Sequence, residues 1–270
     1  MNSSTVAALN RINRRFYDQH QQSFSATRSR PWPGWNRAIS PFLATSVGEG
    51  GAQAAQAILD VGCGNGRFAI FLDSVSCGTY RYLGIDSSPE MLLQADRRLV
   101  DLESIEAHFQ LCELTRDPGD LDLAGRPFDL VVLFGVLHHI PGLDHRRRLL
   151  ERLANLLAPS GFLVLSFWQF GNKDRFQGRI LDWSDHNRLS SESVDRGQLE
   201  PGDFLLAWGD TAAAAGQGGS GPGPRRYCHY ANPGEAEELT QSLGLDTVDR
   251  FESDGGGGNL NLYFVLQTAK

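Results

Sequence analysis

Apolar positions along this chain keep two different rhythms, and the changes between them predict its elements. Leu9, Ile12 and Phe16 recur at helical spacing, so Leu9–Tyr17 is expected as a short amphipathic helix with Arg11, Arg14 and Arg15 on other faces. From Phe24 to Trp35, Pro31 and Pro33 flank Trp32, which predicts an ordered loop. Beyond Ala57 the rhythm becomes one of short continuous apolar runs. Ala57–Val61, Tyr82–Asp86, Ala107–Leu111, Phe128–Phe134 and Phe162–Phe167 read as strands. Helical stretches lie between them. One starts at Ser88-Pro89-Glu90 and buries Met91, Leu92, Ala95 and Leu99; another runs from His145 to Ala158 and stops at Pro159-Ser-Gly161. Such alternation predicts a parallel sheet covered on both faces by helices.

After Trp168 the regularity fails for some sixty positions, read as an insertion or lid, and 212–224 is so rich in Gly, Ala and Pro that a mobile surface loop is expected. Order returns with a helix over Pro233–Leu243 and strands at Thr247–Glu252 and Leu260–Leu266 joined by a glycine turn. These closing strands predict an antiparallel edge on the sheet.

Composition adds limits. With 270 residues, 41% hydrophobic and 21% charged, the chain has the make-up of a globular protein with a substantial core. No apolar run approaches the roughly 18 to 20 residues that span a bilayer, so membrane insertion is not expected. The net charge of −7 argues against a wholesale basic nucleic-acid glove, yet it is unevenly spread. Six arginines against Asp18 give +5 before Glu49 and leave −12 for the rest. Cys63, Cys77, Cys112 and Cys228 form no Cys-x-x-Cys pair, so neither a disulfide framework nor a metal site is expected, and a cytoplasmic address fits. The Arg-rich start leaves an organelle transit peptide as the lesser alternative.

The chemistry concentrates at Leu59-Asp60-Val61-Gly62-Cys63-Gly64-Asn65-Gly66. A glycine-rich turn between strand and helix lets backbone N–H groups approach a ligand, and an acid ending the next strand, Asp86, can take both hydroxyls of a ribose. NAD, FAD or S-adenosylmethionine would all use such parts. The spacing G-x-G-x-G, rather than the dinucleotide G-x-G-x-x-G, favours a sulfonium nucleoside with no pyrophosphate to cradle.

That run resembles motif I of the class I S-adenosylmethionine-dependent methyltransferases, Gly84-Ile85-Asp86 resembles their ribose-binding motif, and Phe128-Asp-Leu-Val-Val resembles motif IV. The resemblance implies a Rossmann-like α/β fold with a seven-stranded, mostly parallel sheet, an antiparallel C-terminal strand pair and an inserted lid. It also implies that S-adenosylmethionine binds at Asp60, Gly62, Gly64, Gly66 and Asp86, with Glu113 near the adenine. The expected organisation is a covering segment over 1–48, a cofactor core over 49–168, the lid over 169–231 and the rest of the core over 232–270.

Further motifs resemble one subfamily, the eukaryotic wobble-uridine tRNA carboxymethyl methyltransferases, including the methyltransferase joined to an AlkB-type hydroxylase. They are Phe24-Ser-x-Thr-Arg28, Pro31-Trp-Pro33, Val136-Leu-His138-His139, Arg147-Arg148, Gly202-Asp-Phe204 to Trp208, and Arg226-Tyr-Cys-His229 followed by Gly234-Glu235. The resemblance implies methyl-ester formation on 5-carboxymethyluridine in a tRNA anticodon loop, with a small zinc-binding activator subunit as partner. Arg28 and Arg226 are then candidates to hold the acceptor carboxylate, Arg28 alternatively holding the cofactor's methionine carboxylate. His138 or His139 would face the site after the fourth strand, His229 would contact substrate or pack, and Trp32, Trp208 and Tyr227 would contact the base. Trp35 would either stack or join the core. Arg146, Arg147 and Arg148 would form a solvated face or meet phosphate. Ala207 replaces the subfamily's Pro, Cys228 its second Tyr, and Ser160 a Gly; the first two fall in the presumed lid. A small-molecule carboxyl or hydroxyl O-methyltransferase is the rival reading.

Overall fold

The structure is a computed structural model that describes residues 1–26, 30–45, 55–114, 123, 127–209 and 224–269. The elements follow as α1 (Ser3–Ala26), α2 (Gly34–Thr45), β1 (Gln56–Val61), α3 (Arg67–Val75), β2 (Tyr80–Asp86), α4 (Pro89–Leu99), β3 (Ile105–Leu111), β4 (Phe128–Leu133), α5 (Leu143–Ala154) and β5 (Leu157–Trp168). Then come α6 (Asp174–Gln177), β6 (Ile180–Leu181), α7 (Trp183–Leu189), β7 (Asp203–Ala207), β8 (Arg225–His229), α8 (Pro233–Gln241), β9 (Asp246–Ser253) and β10 (Asn261–Gln267).

The main sheet has seven strands in the order β3-β2-β1-β4-β5-β10-β9, and β10 alone runs opposite to the other six. The expected parallel sheet with an antiparallel closing pair is the one that forms. Its central strands are mostly apolar because both faces are covered, with Asp60 in β1 and Asp129 in β4 as exceptions. Leu59, Val61, Val131, Leu133, Leu163 and Leu165 pack on one face with Leu149, Leu150 and Leu153 of α5 and Leu239 of α8. Ile58, Leu130, Val132 and Val164 alternate to the other face and meet Trp35, Ile39 and Phe42 of α2 and Phe68 and Leu72 of α3. Each such side chain contributes about 1.5–3 kcal/mol by leaving water.

Three boundaries differ from the sequence expectation. First, α1 runs on through Phe24 to Ala26, and the expected loop from Phe24 to Trp35 gives way to helix at both ends, with Trp35 in the core. Inside α2, Pro41 cannot donate to the Arg37 carbonyl; the Ser40 hydroxyl donates to it instead, at 2.9 Å. Second, the helix expected to reach Ala158 stops at Ala154. Leu156 and Leu157 have helical spacing, but the Leu156 carbonyl accepts from Phe128 and Leu157 pairs with β4, so sheet pairing wins. Ser160, at φ 60°, then occupies the left-handed region that a glycine would adopt without strain.

Third, the segment after Trp168 is not irregular. Its described part holds a second, three-stranded antiparallel sheet in the order β6-β7-β8. α1 covers this sheet, burying Ala8, Leu9 and Ile12 against Val194, Leu205 and Tyr227. Asn13 Oδ1 accepts from Tyr227 N at 2.8 Å, so a helix side chain caps the free edge of β8. Residues 212–223 of the glycine-rich stretch lie outside the described residues. Among the described residues no helix is long and apolar enough to cross a membrane.

The charge asymmetry has a structural outlet. Arg11 and Arg15 share Glu192, Arg14 pairs with Glu113, and Arg37 pairs with Asp249, so basic N-terminal residues dock on acids of the body. Arg146 corrects the expectation of a solvated arginine face. It is 1% exposed and donates to Glu200 at 2.6 Å, to Glu235 at 2.8 Å and to the Ile140 carbonyl at 3.1 Å. Arg147 instead reaches the exposed Glu238.

Candidate functional site

β1 is flanked by β2 and β4, so chain connections leave it in opposite directions and open a crevice at the strands' carboxyl ends. A cavity of about 280 Å³ lies there, lined by the turn after β1, the ends of β2 and β4, and α1. Gly62 has φ 73°, and a Cβ on it would come 2.3 Å from Val136, so turn and packing both demand glycine. Gly64, at φ 54°, would meet nothing within 4 Å, leaving open space beside the turn backbone. Gly66 caps the start of α3 in the left-handed region.

The Asp86 carboxylate closes this turn. Its Oδ2 accepts from Gly64 N and its Oδ1 from Ser88 N, each at 2.9 Å. Each oxygen retains acceptor capacity, which suits a pair of hydroxyls. Burial raises the Asp86 pKa, with the N–H groups opposing it. Burial also raises Asp60 to about 7, although Tyr82 donates to it and Arg67 lies nearby. Glu113 lines the cavity, held by Arg14 at 2.8 Å. Thus Asp60, Gly62, Gly64, Asp86 and Glu113 all line one cavity, and Gly66 shapes the turn beneath it.

Arg67, which the sequence motifs do not single out, lines the same cavity. Its guanidinium lies 4.9 Å from the Trp35 ring centroid and 5.2 Å from that of Trp32, and burial lowers its pKa to about 10. Its one signal is its place directly after the last glycine of the turn. An acid that can accept from paired hydroxyls, open space beside Gly64 and a desolvated guanidinium that can donate fit a nucleoside bearing an amino-acid tail.

A second cavity, of about 290 Å³, shares Gly135 with the first. Trp32, His138, Trp168, Trp208, Arg179 and Arg226 are among its lining residues. Arg226 is 5% exposed, with its guanidinium 5.3 Å from both the Trp168 and Trp208 centroids and 5.6 Å from that of Phe16. Burial would lower its pKa, but neighbouring groups including Tyr17 leave it raised, so it stays charged. It donates to the Tyr17 hydroxyl at 3.4 Å, and that hydroxyl lies 2.7 Å from His139 Nε2. Tyr17 and His139 both line the first cavity, so this chain of contacts links the two.

The two histidines therefore part ways. His139 lines the glycine-turn cavity and His138 lines the arginine cavity. His138, His139 and Cys228 also bring potential ligand atoms within 4.8 Å of one another, a proximity that the scattered cysteines do not announce. His229 and Tyr227 line neither cavity, contrary to a role in touching substrate. His229 is 2% exposed, with Nδ1 2.7 Å from Asp203 and Nε2 2.9 Å from Glu235, and the Tyr227 hydroxyl donates to Asp203. Alternation along β8 explains this: Arg226 and Tyr227 point to opposite sides of the strand. Arg28 lies outside the described residues. Tyr17, Trp168 and Arg179 carry no site signal in the sequence, and His139 carries one it shares with His138. Tertiary packing, with α1 on β8 and β8 on the turn after β4, brings these four to the cleft.

Residues 59–163 match the family described as a methyltransferase domain. The chain is 26% identical over 182 residues to a tRNA (carboxymethyluridine(34)-5-O)-methyltransferase of Mus musculus, which covers 65% of this chain and 23% of that protein. It is 25% identical over 160 residues to the protein of the same name from Arabidopsis thaliana, covering 59% of this chain and 33% of the relative. The chain thus spans no more than about a third of these two relatives. Among solved structures, an S-adenosylmethionine-dependent methyltransferase from Clostridium acetobutylicum superposes with a TM-score of 0.59 at 12% identity, covering 94% of this chain and 99% of that one. That likeness shows a shared fold.

Proposed function

We propose that this chain, which carries a methyltransferase domain over 59–163, is an S-adenosylmethionine-dependent methyltransferase that esterifies the carboxylate of 5-carboxymethyluridine at the wobble position of tRNA. The relatives' names support the acceptor, and the observation that carries it is Arg226. A buried guanidinium walled by Phe16, Trp168 and Trp208, and joined through Tyr17 to the cavity of the glycine turn, suits a carboxylate on a flat ring.

S-adenosylmethionine, when bound, supplies an electrophilic methyl group on a sulfonium. Asp86 would hold the ribose hydroxyls, Glu113 would lie on the base side, and Arg67 would hold the methionine carboxylate, a task for which the sequence also offers Arg28. An acceptor carboxylate, with an ordinary pKa near 4, is already ionised at neutral pH, so no residue need remove a proton. The protein's work is to hold the carboxylate in line with the methyl group and keep water away. Arg226 holds it, Tyr17 and His139 fix Arg226 from the cofactor side, and Trp32, Trp168 and Trp208 wall the base. The acceptor binds as a tRNA anticodon loop, and a small zinc-binding subunit is the proposed partner.

The test is incubation with methyl-labelled S-adenosylmethionine and carboxymethylated tRNA, with and without a candidate zinc-binding subunit. Base-labile label in tRNA is the expected result. Label confined to small metabolites would establish the small-molecule O-methyltransferase instead.

A further inference from the structure

On the far side of Phe16 from the cleft, the structure carries a third cavity that the reaction does not use. It has a volume of about 460 Å³ and is lined by Arg15 and Phe16 of α1, His20, His186, Ser190 and Arg225, among others. Phe16 lines this groove, and its ring lies 5.6 Å from the Arg226 guanidinium and 5.7 Å from the Trp208 centroid, two residues that line the arginine cavity. Arg225 and Arg226 are consecutive in β8 and project to opposite sides. One therefore lines the groove while the other lines the acceptor cavity.

Among the described residues, the groove's charge is only partly compensated. Arg11 and Arg15 converge on Glu192 at 3.3 and 3.1 Å. Arg225 forms no ion pair among the described residues, although it is partly buried and close enough to Arg15 for the two charges to repel. Burial and that repulsion both lower its pKa, and burial together with Arg225 lowers that of His186, whose Nε2 lies 3.0 Å from the Glu192 carbonyl. Among the described residues, three guanidiniums thus have one carboxylate between them, beside an imidazole whose pKa is lowered. Two repelling cations held in a groove are relieved by an anion with several acceptor oxygens, which arginine's fork matches.

We infer that this groove binds a backbone phosphate of the RNA, one belonging to a nucleotide next to the methyl acceptor, with Arg225 and Arg15 as its ligands. The inference rests on the proposed RNA acceptor. It adds a reason why a chain of net charge −7 can engage RNA: the contact is a local one, placed against the wall of the acceptor cavity.

The test compares wild type, Arg225→Gln and Arg225→Lys on an anticodon stem-loop bearing 5-carboxymethyluridine and on the free nucleoside, together with stem-loop binding across a salt series. Arg225→Gln is expected to raise KM for the stem-loop about five- to tenfold. It should also flatten the slope of log affinity against log salt by about 0.7–0.9, the release of one counterion. Affinity for S-adenosylmethionine and KM for the free nucleoside stay unchanged, which reports that the variant is folded, and Arg225→Lys restores most of the slope. An unchanged KM and slope in a wild type that methylates the stem-loop would overturn the groove assignment. Failure of wild type to methylate the stem-loop overturns the proposed acceptor, and the salt slope then still decides whether Arg225 meets phosphate. Thermal protection by inorganic phosphate with no effect of Arg225→Gln on RNA binding would make this a small-anion site and overturn the RNA assignment.

Discussion

In the cofactor half of the cleft, the residues from Asp60 to Gly66 fold into one turn whose shape is written in consecutive positions, and Asp86 joins it by the parallel pairing of β1 with β2. In the half proposed for the acceptor, Trp32, His138, Trp168, Trp208 and Arg226 come from separate segments that meet around one cavity. Backbone geometry fixes the first half, since positive φ values and carboxylate–amide bonds need only local chain. Burial fixes the second, since Arg226 stays in place only while Phe16, Trp168 and Trp208 surround it. A methyltransferase fold can therefore keep the first half constant and change its acceptor by repacking the second.

The largest expected effect separates the halves through stability. Arg146 bridges Glu200, which precedes β7, and Glu235 of α8, so Arg146→Met leaves half-buried carboxylates facing each other and His229. Denaturant unfolding should show a loss of about 3–5 kcal/mol. Losses below about 1 kcal/mol would mean that the network does not anchor the acceptor half.

Two ligand-directed variants come next. Calorimetry should show Asp86→Ala losing S-adenosylmethionine affinity by about 100-fold or more, because two charge-assisted hydrogen bonds of about 1.5–3 kcal/mol each disappear. Arg226→Ala should leave that affinity intact and lower kcat/KM for the carboxylate acceptor by about 100-fold. Equal loss of cofactor affinity in both variants would dissolve the division into halves. Tyr17→Phe, which removes the hydroxyl joining Arg226 to His139, should cost about 1 kcal/mol, a roughly fivefold fall in kcat with cofactor affinity preserved.

The smallest effect is a pH dependence confined to the acceptor half. Burial alone would lower the His229 pKa, but its bonds to Asp203 and Glu235 outweigh burial and raise it. The folded state thus holds a proton that the unfolded state releases, so this contribution is complete below about pH 6.5 and is lost as pH rises through the raised value. Glu235 runs the other way. Burial raises it, His229 and Arg146 lower it further, and its contribution is present above its ordinary range and lost as acid protonates it. Melting temperature should therefore decline on both sides of a mildly acidic optimum, and His229→Gln should abolish the alkaline decline. A decline that persists in that variant would place the responsible group elsewhere.

Legibility followed the range of the interactions. The glycine turn, Asp86 and the apolar central strands could be read because each depends on neighbours in sequence or on burial from both faces. Trp32, Trp208 and Arg226 were legible through motif resemblance, and they do line one cavity. His229 and Tyr227 belong to the same motif as Arg226, yet strand alternation and the Asp203 carboxylate turn them into a buried network. Arg146 read as surface because a run of three arginines carries no sign of the two glutamates that enclose it.

The linear pattern of residues was enough to set the strands of the main sheet with its closing antiparallel pair, the helices that begin near Pro89, Leu143 and Pro233, and the turn that gathers Asp60, the glycines and Asp86. Those features follow from backbone preference and from periodic burial, which act over a few residues. Packing in three dimensions settled which histidine faces which cavity, that Tyr17 links Arg226 to His139, and that Arg67 and Arg225 stand at the cleft and beside it. A buried or repelled charge acquires its role from partners many residues away, and those partners meet only once α1 has packed on the small sheet and α2 on the main one.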